Sequence, residues 1–213
     1  MKVLVFDTET TGLPTERNPS IMDTEKWPHI VQLSYVVYDT EEQKIIKCVD
    51  DIIKIDLAKV TISNESIAIH GITPAMTLEK GVLLFGALNA FNNELANADL
   101  VVGHNLSFDK RMIMVECMRQ NIWQKFTTKG VRKEEYCTMR NSTDLCRIEV
   151  ITDKGEKYFK FPTLTQLHTH LFPAGTLPQN LHNALVDVLV CLKCYAAIEH
   201  QQEVDINAFL EGK

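Results

Sequence analysis

The feature that most constrains the fold is an apolar run near the N-terminus that ends in two acids. Residues 3–6 read VLVF and are followed directly by Asp7, Thr8 and Glu9. Strand side chains alternate between faces, so this run is apolar on both sides, which is typical of a central strand covered by helices. Asp7 and Glu9 then point the same way. The pair either marks the solvated end of the strand or belongs to a site where a cation offsets the two charges.

Composition predicts one folded domain, residues 1–213, inside the cell. The chain has 45% hydrophobic and 23% charged residues, which excludes a disordered chain. No apolar run is long enough to span a membrane, and the N-terminus enters the first strand without a signal peptide. Six scattered cysteines are then expected to be reduced thiols, in a cytoplasmic or nuclear, non-secreted protein. The net charge of −6 argues against a broadly basic nucleic-acid coat, although bound metal can supply positive charge locally.

The order of predicted elements gives an α/β domain of three layers. Antiparallel strands come first and strands alternating with helices follow, which predicts a mixed, mostly five-stranded sheet flanked by helices. Asp153-Lys154-Gly155 predicts a hairpin over residues 147–161, and Ser107 is the expected N-cap of a helix. The other expected strands are 30–38, 44–55, 100–105 and 136–139, and the other expected helices are 63–69, 81–98, 163–171 and 184–200.

Two later segments place acids where they can meet Asp7 and Glu9. Asp109 follows the strand at 100–105 and falls in the first turn of the next helix. Asn183 is an N-cap candidate that leaves His182 on the preceding loop and Asp187 in the first helical turn. Each residue alone has an ordinary alternative, as a helix-dipole partner or a surface histidine. Ligand sites of open α/β sheets nevertheless lie at the carboxyl ends of strands, where these acids fall.

The three ordered motifs together resemble the DEDD exonuclease superfamily in its histidine, DnaQ-like branch, as found in polymerase proofreading subunits. The matching segments are 7–13 (DTETTGL), 103–109 (GHNLSFD) and 182–187 (HNALVD), and residues 65–73 give further support. The resemblance covers nearly the whole chain. It implies a ribonuclease H-like fold and a metal-dependent 3′→5′ exonuclease that releases nucleoside monophosphates from single-stranded or frayed 3′ ends.

The resemblance also implies a role for each matching residue. Asp7, Glu9, Asp109 and Asp187 would hold two divalent ions, Mg²⁺ or Mn²⁺, which prefer oxygen ligands. Two such ions stabilise the attacking and leaving oxygens of an in-line phosphoryl displacement. His182 would be the general base, because imidazole titrates near neutral pH.

Six further residues are expected to contact the substrate. The Thr10 backbone and the Leu13 side chain would hold the terminal nucleotide. Glu65 and His70 would contact its sugar, with helix-end capping as their alternative role. Asn105 and Phe108 would line the path of the strand, with core packing as the alternative for Phe108.

Several alternatives stay open at the level of sequence. DNA is slightly favoured as the substrate, RNA 3′-end trimming is the second hypothesis, and a non-catalytic polymerase-associated binding module is the third. Expected partners are single-stranded DNA or RNA 3′ ends and a polymerase or other replication or repair protein, with no membrane. The loop at 14–28 and the hairpin at 147–161 look like additions to a minimal domain. Basic residues at 125–133 either follow phosphates or form a solvated face.

Overall fold

The computed structural model describes residues 1–178 and 181–210, and its centre is a mixed five-stranded sheet. Strands β1 (Lys2–Thr10), β2 (Ile30–Asp39) and β3 (Lys44–Ile52) form an antiparallel meander. Strands β4 (Leu100–Gly103) and β7 (Glu134–Cys137) extend it in parallel from the other edge of β1. The spatial order β3-β2-β1-β4-β7 places β1 in the middle, as its two apolar faces predict.

Helices cover the sheet on both faces, and short hairpins lie outside it. The hairpins are β5 (Thr127–Thr128) with β6 (Val131–Arg132), and β8 (Glu149–Ile151) with β9 (Lys157–Phe159). The helices are α1 (Asn64–His70), α2 (Pro74–Glu79), α3 (Leu84–Asn97), α4 (Leu106–Arg119), α5 (Thr138–Asn141), α6 (Thr143–Cys146), α7 (Leu164–Leu171), α8 (Ala184–His200) and α9 (Asn207–Leu210).

The alternation along β1 divides the core into two layers. Leu4 and Phe6 pack on one side with α3 and α4, where Phe6 and Phe91 have ring centroids 5.0 Å apart. Val3 and Val5 pack on the other side with α7 and α8. This confirms the predicted three-layer architecture, with the end of β1 lying between the two helical layers.

Most predicted elements form, and the departures have local causes. The predicted hairpin forms around Gly155, whose φ of +82° suits glycine. Ser107 is not the N-cap of α4, because that helix begins one residue earlier and Asn105 occupies the cap position in the left-handed region, with φ 67°. Helix α2 was not expected, although Thr73 caps it and Pro74 occupies its first turn.

Three other features of the fold bear on the predictions. The loop at 14–28 is held to α4 by Arg119, whose guanidinium donates hydrogen bonds to the carbonyls of Thr24, Trp27 and Pro28. All six cysteines are free thiols. Across the described residues, no helix combines the length and the apolar character needed to cross a bilayer.

Candidate active site

Three carboxylates converge at the end of β1. Asp7 and Glu9 lie two residues apart on that strand, and Asp187 lies in the first turn of α8. One oxygen from each of the three lies within 4.8 Å of the others. The local sequence produces this geometry, because strand alternation aligns the first two acids and Asn183 caps α8 by accepting a hydrogen bond from the Leu185 amide at 3.1 Å.

The fourth predicted acid, Asp109, lies beside this group but outside the 4.8 Å set. Its side chain is only 3% exposed, and Oδ1 accepts hydrogen bonds from the Thr8 amide at 3.2 Å and from Thr8 Oγ1 at 2.7 Å. Thr8 points to the opposite side of β1 from its two neighbours, so it faces α4. Strand β1 therefore supplies Asp7 and Glu9 on one face, and through Thr8 it orients Asp109 from the other face.

Burial raises the pKa of every acid in this cluster, and repulsion between carboxylates adds to it for Asp7, Glu9 and Asp109. Burial is the main cause of a pKa of about 8 for Glu9, with repulsion from Asp187 and Asp109 adding to it. Burial, followed by repulsion from Asp109, Asp187 and Glu9, holds the pKa of Asp7 well above its usual range. Burial raises the pKa of Asp109 to about 7 against the opposing effect of the two Thr8 hydrogen bonds. The Asp187 pKa is raised by burial and lowered in part by the His182 backbone hydrogen bond. The cluster thus favours a partner of positive charge.

His182 lies at the rim of two neighbouring cavities. One, of about 350 Å³, is also lined by Asp7, Asp187, His104 and Phe161. The other, of about 310 Å³, lies between the end of α1 and the start of α8. The imidazole is exposed, the backbone φ is +73°, and the backbone amide donates to Asp187 Oδ1 at 3.4 Å. A titratable side chain that is open to solvent beside the acids can accept a proton there.

His104, the other histidine at the larger cavity, is occupied by structural hydrogen bonds. Its Nε2 donates to the Pro162 carbonyl at 3.1 Å, and Nδ1 accepts from Thr138 Oγ1 at 3.0 Å. The Pro162 carbonyl can only accept, so the proton of the neutral ring lies on Nε2. Burial lowers the His104 pKa to about 4, which keeps the ring neutral at physiological pH. His104 therefore joins β4 to the segment that precedes α7.

His70 is also held by the backbone on both sides of its ring. The Ile72 amide donates to Nδ1 at 3.0 Å, so Nε2 carries the proton and donates to the Thr10 carbonyl at 3.2 Å. Gly71 ends α1 in the left-handed conformation, with φ 74°. These contacts correspond to the helix-end role that was the alternative for His70. The hydrogen bond from His70 also fixes the backbone at Thr10. The Thr10 hydroxyl in turn donates to the Gly12 carbonyl at 2.7 Å.

The remaining predicted substrate contacts differ in exposure. Leu13 is 83% exposed, which leaves its side chain open to a ligand. Glu65 and Asn105 are also exposed, whereas Phe108 is partly buried against the core and its ring lies 6.4 Å from that of Trp27. Phe108 therefore contributes to packing, as its alternative role required.

Two residues that position the acids were not found by sequence reasoning. Thr8 orients Asp109, as described above. Gln32 is buried on β2 opposite Glu9, where its Oε1 accepts from the Ala184 amide at 3.2 Å and its Nε2 donates to Asp50 at 2.7 Å. The hydrogen bond from the Ala184 amide holds the first residue of α8 against the sheet. A buried polar residue in an apolar strand was the available signal.

The arrangement fits a divalent cation and phosphodiester hydrolysis. Its donors are carboxylate oxygens, the ligands that hard cations such as Mg²⁺ and Mn²⁺ prefer. Acids with raised pKa values that share a small space ionise together when a cation offsets their charge. The exposed His182 lines the same cavity as Asp7 and Asp187.

The chain is similar to known exonucleases in family and in fold. The family model for the RNase_T exonucleases matches residues 4–195. No curated protein sequence matches the chain. Among solved structures, Exonuclease I from E. coli in complex with a dA16 oligonucleotide is 15% identical with a TM-score of 0.66, over 94% of this chain and 41% of that one. A moderately thermophilic Exonuclease I from Methylocaldum szegediense is 19% identical with a TM-score of 0.61, over 94% and 41% of the two chains.

The structural likeness establishes the fold, and the family model establishes the family. The zinc-bound form of E. coli Exonuclease I with single-stranded DNA matches with a TM-score of 0.66 at 17% identity, again over 94% of this chain and 41% of that one. This chain thus spans about two fifths of the length of the Exonuclease I chains. With a family model that covers most of its length, the chain belongs to the RNase_T exonucleases, which are phosphodiester hydrolases of the DEDD 3′→5′ exonuclease superfamily.

Proposed function

We propose that this chain removes nucleoside monophosphates from single-stranded or frayed 3′ ends in a metal-dependent reaction, with DNA slightly preferred over RNA. The observation that carries the proposal is the convergence of Asp7, Glu9 and Asp187 within 4.8 Å beside the exposed His182. The similarity to Exonuclease I structures that hold a dA16 or dT13 oligonucleotide supports DNA as the substrate. The six free thiols support an intracellular location.

The residues divide the chemistry among themselves. Asp7, Glu9 and Asp187 hold the cations, and Asp109 completes the set from the orientation that Thr8 gives it. Bound there, Mg²⁺ or Mn²⁺ would supply positive charge to offset the charge that develops on the phosphoryl oxygens. A ring nitrogen of His182 takes the proton of the attacking water, and the hydrogen bond from the His182 backbone to Asp187 keeps the base beside the acids.

The end nucleotide is positioned by the segment after β1. The Thr10 carbonyl is fixed by His70, so the backbone at 10–12 is rigid where it meets the substrate. The exposed Leu13 side chain lies against the terminal base. Such contacts are made to the sugar and to the face of the base, not to the hydrogen-bonding edge of the base. We therefore expect weak sequence preference.

Digestion of matched DNA and RNA oligonucleotides, labelled at the 5′ end, tests the proposal. With Mg²⁺ or Mn²⁺ we expect a ladder that shortens from the 3′ end, and EDTA should abolish it. Asp187→Asn and His182→Ala should each reduce kcat by roughly 100-fold or more, since general-base catalysis contributes about 10²–10⁴. His170→Ala is the matched control, because that histidine is exposed on α7. Near-full activity of His182→Ala at neutral pH would exclude it as the base.

A further inference from the structure

The hairpin of β8 and β9 is largely exposed, and its two faces carry different side chains. Its register pairs Glu149 with Phe159 and Ile151 with Lys157, so these four side chains lie on the same face. All four are exposed. On the opposite face Val150 is partly buried. We call the face with Glu149, Ile151, Lys157 and Phe159 the outward face of the hairpin.

The outward face carries exposed apolar side chains beside its charged pair. Ile151 is 59% exposed and Phe159 is 43% exposed. The Lys160 amide donates to the Ile148 carbonyl at 3.0 Å, so strand pairing continues past β9. Alternation therefore places Phe161, which is 55% exposed, on this same face. Adjacent exposed apolar side chains of this kind mark interaction sites more often than isolated ones do.

The outward face is continuous with the catalytic cavity. Phe161 lines the cavity of about 350 Å³ together with Asp7, His182 and Asp187. The next residue, Pro162, is buried and accepts the hydrogen bond from His104 described above. The base of the hairpin is therefore fixed at the edge of the site, and its two phenylalanines form a path that leads away from the acids.

The hairpin carries a small positive formal charge. Residues 147–161 contain four cationic and three acidic side chains, a formal charge of +1 in a chain whose net charge is −6. Lys157 lies opposite Ile151 and two residues before Phe159, and its Nζ is 2.8 Å from Glu149 Oε1. Proteins that hold single strands without sequence preference combine cations for the backbone with aromatic rings on which bases stack.

We propose that the outward face, Ile151, Phe159 and Phe161, is a stacking platform for the bases immediately 5′ of the nucleotide being removed. This inference rests on the proposed function, because it requires a single strand whose 3′ end lies in the cavity. It assigns a role to the hairpin and predicts that affinity increases with strand length until the platform is covered.

Steady-state kinetics with DNA oligomers of 2 to 20 nucleotides test this platform. Phe159→Ala should raise KM for the 20-mer by roughly 5- to 100-fold, the range expected when one base stack is lost. The effect should shrink as the oligomer is shortened to two nucleotides. Phe159→Trp keeps an aromatic ring and should retain a low KM. Tyr158→Ala is the matched control, since Tyr158 is 52% exposed on the opposite face of the same strand.

The outcomes separate failure of the platform from failure of the proposed function. Hydrolysis of the nitrophenyl diester of thymidine 5′-monophosphate by the wild-type protein reports cleavage without a strand, and its absence would count against the proposed function. If that diester is cleaved while Phe159→Ala leaves KM unchanged at every length, the platform is wrong and the face is open to a protein instead. An equal rise in KM for Tyr158→Ala would also overturn it.

Discussion

Replacing Glu9 with glutamine should stabilise the metal-free protein while it damages catalysis. Burial and two neighbouring carboxylates raise the Glu9 pKa from 4.5 to about 8. At pH 7 Glu9 is ionised in the unfolded chain but must take up a proton when the chain folds. The pH then lies about 2.5 units above the pKa of Glu9 in the unfolded chain. At 1.36 kcal/mol per unit, this lowers the free energy of unfolding by about 3 kcal/mol.

The neutral amide of Glu9→Gln removes this penalty. A partly unsatisfied amide costs about 1 kcal/mol, so we expect a net gain of about 1–3 kcal/mol at pH 7. Between pH 4.5 and about 8 the folded wild type binds more protons than its unfolded chain, so its stability falls as the pH rises through that interval. The advantage of the variant should therefore grow from pH 5 to pH 8.

Urea denaturation in EDTA, repeated at several pH values, measures this difference directly. Added Mg²⁺ should stabilise the wild type more than the variant, because a ligand that binds only the folded state stabilises it more when it binds more tightly. Glu79→Gln, at an exposed position at the end of α2, should change stability by less than about 0.5 kcal/mol. A Glu9→Gln protein that is no more stable than wild type at pH 8 would refute the reasoning.

Two further substitutions test how the acids and the core are held. Gln32→Leu removes the hydrogen bond that fixes the Ala184 amide, so we expect a loss of about 1–3 kcal/mol in urea denaturation and a lower kcat. Ser34→Ala removes only a bond to Asp50 and should leave kcat unchanged; equal losses of kcat would contradict the role of Gln32. Gly81→Ala places Cβ 2.1 Å from the Thr77 carbonyl oxygen and should destabilise the protein by about 2–4 kcal/mol. In Gly86→Ala, on α3, the new Cβ meets no atom within 4 Å, so this control should stabilise the protein by about 0.5–1 kcal/mol. Urea denaturation measures both changes.

The fold was predictable where a single segment contained both the apolar pattern of an element and the residue that begins it. Helix α8 begins and ends where the sequence places it, because Asn183 caps a long apolar run. The five-stranded mixed sheet followed from the order of strands and helices. The start of α4 was not predictable, because it depends on the left-handed backbone of Asn105, a conformation that no sequence pattern near it indicates.

The acids were easier to predict than their supports. Asp7, Glu9 and Asp187 could be matched to motifs, since each lies at a strand end or in a first helical turn. Thr8 and Gln32 act through hydrogen bonds to residues 101 and 152 positions away along the chain. Contacts of that range exist only after the layers have packed, so no local pattern specifies them.

The separation of the acids along the chain has a consequence for synthesis. Asp7 is made among the first residues, but Asp187 follows only after the sheet and most helices, and α8 must then pack on β1. A growing chain carries the first two acids in an open strand with no third carboxylate beside them. Because domains generally fold as units, the three carboxylates cannot come together until α8 has been translated and docked.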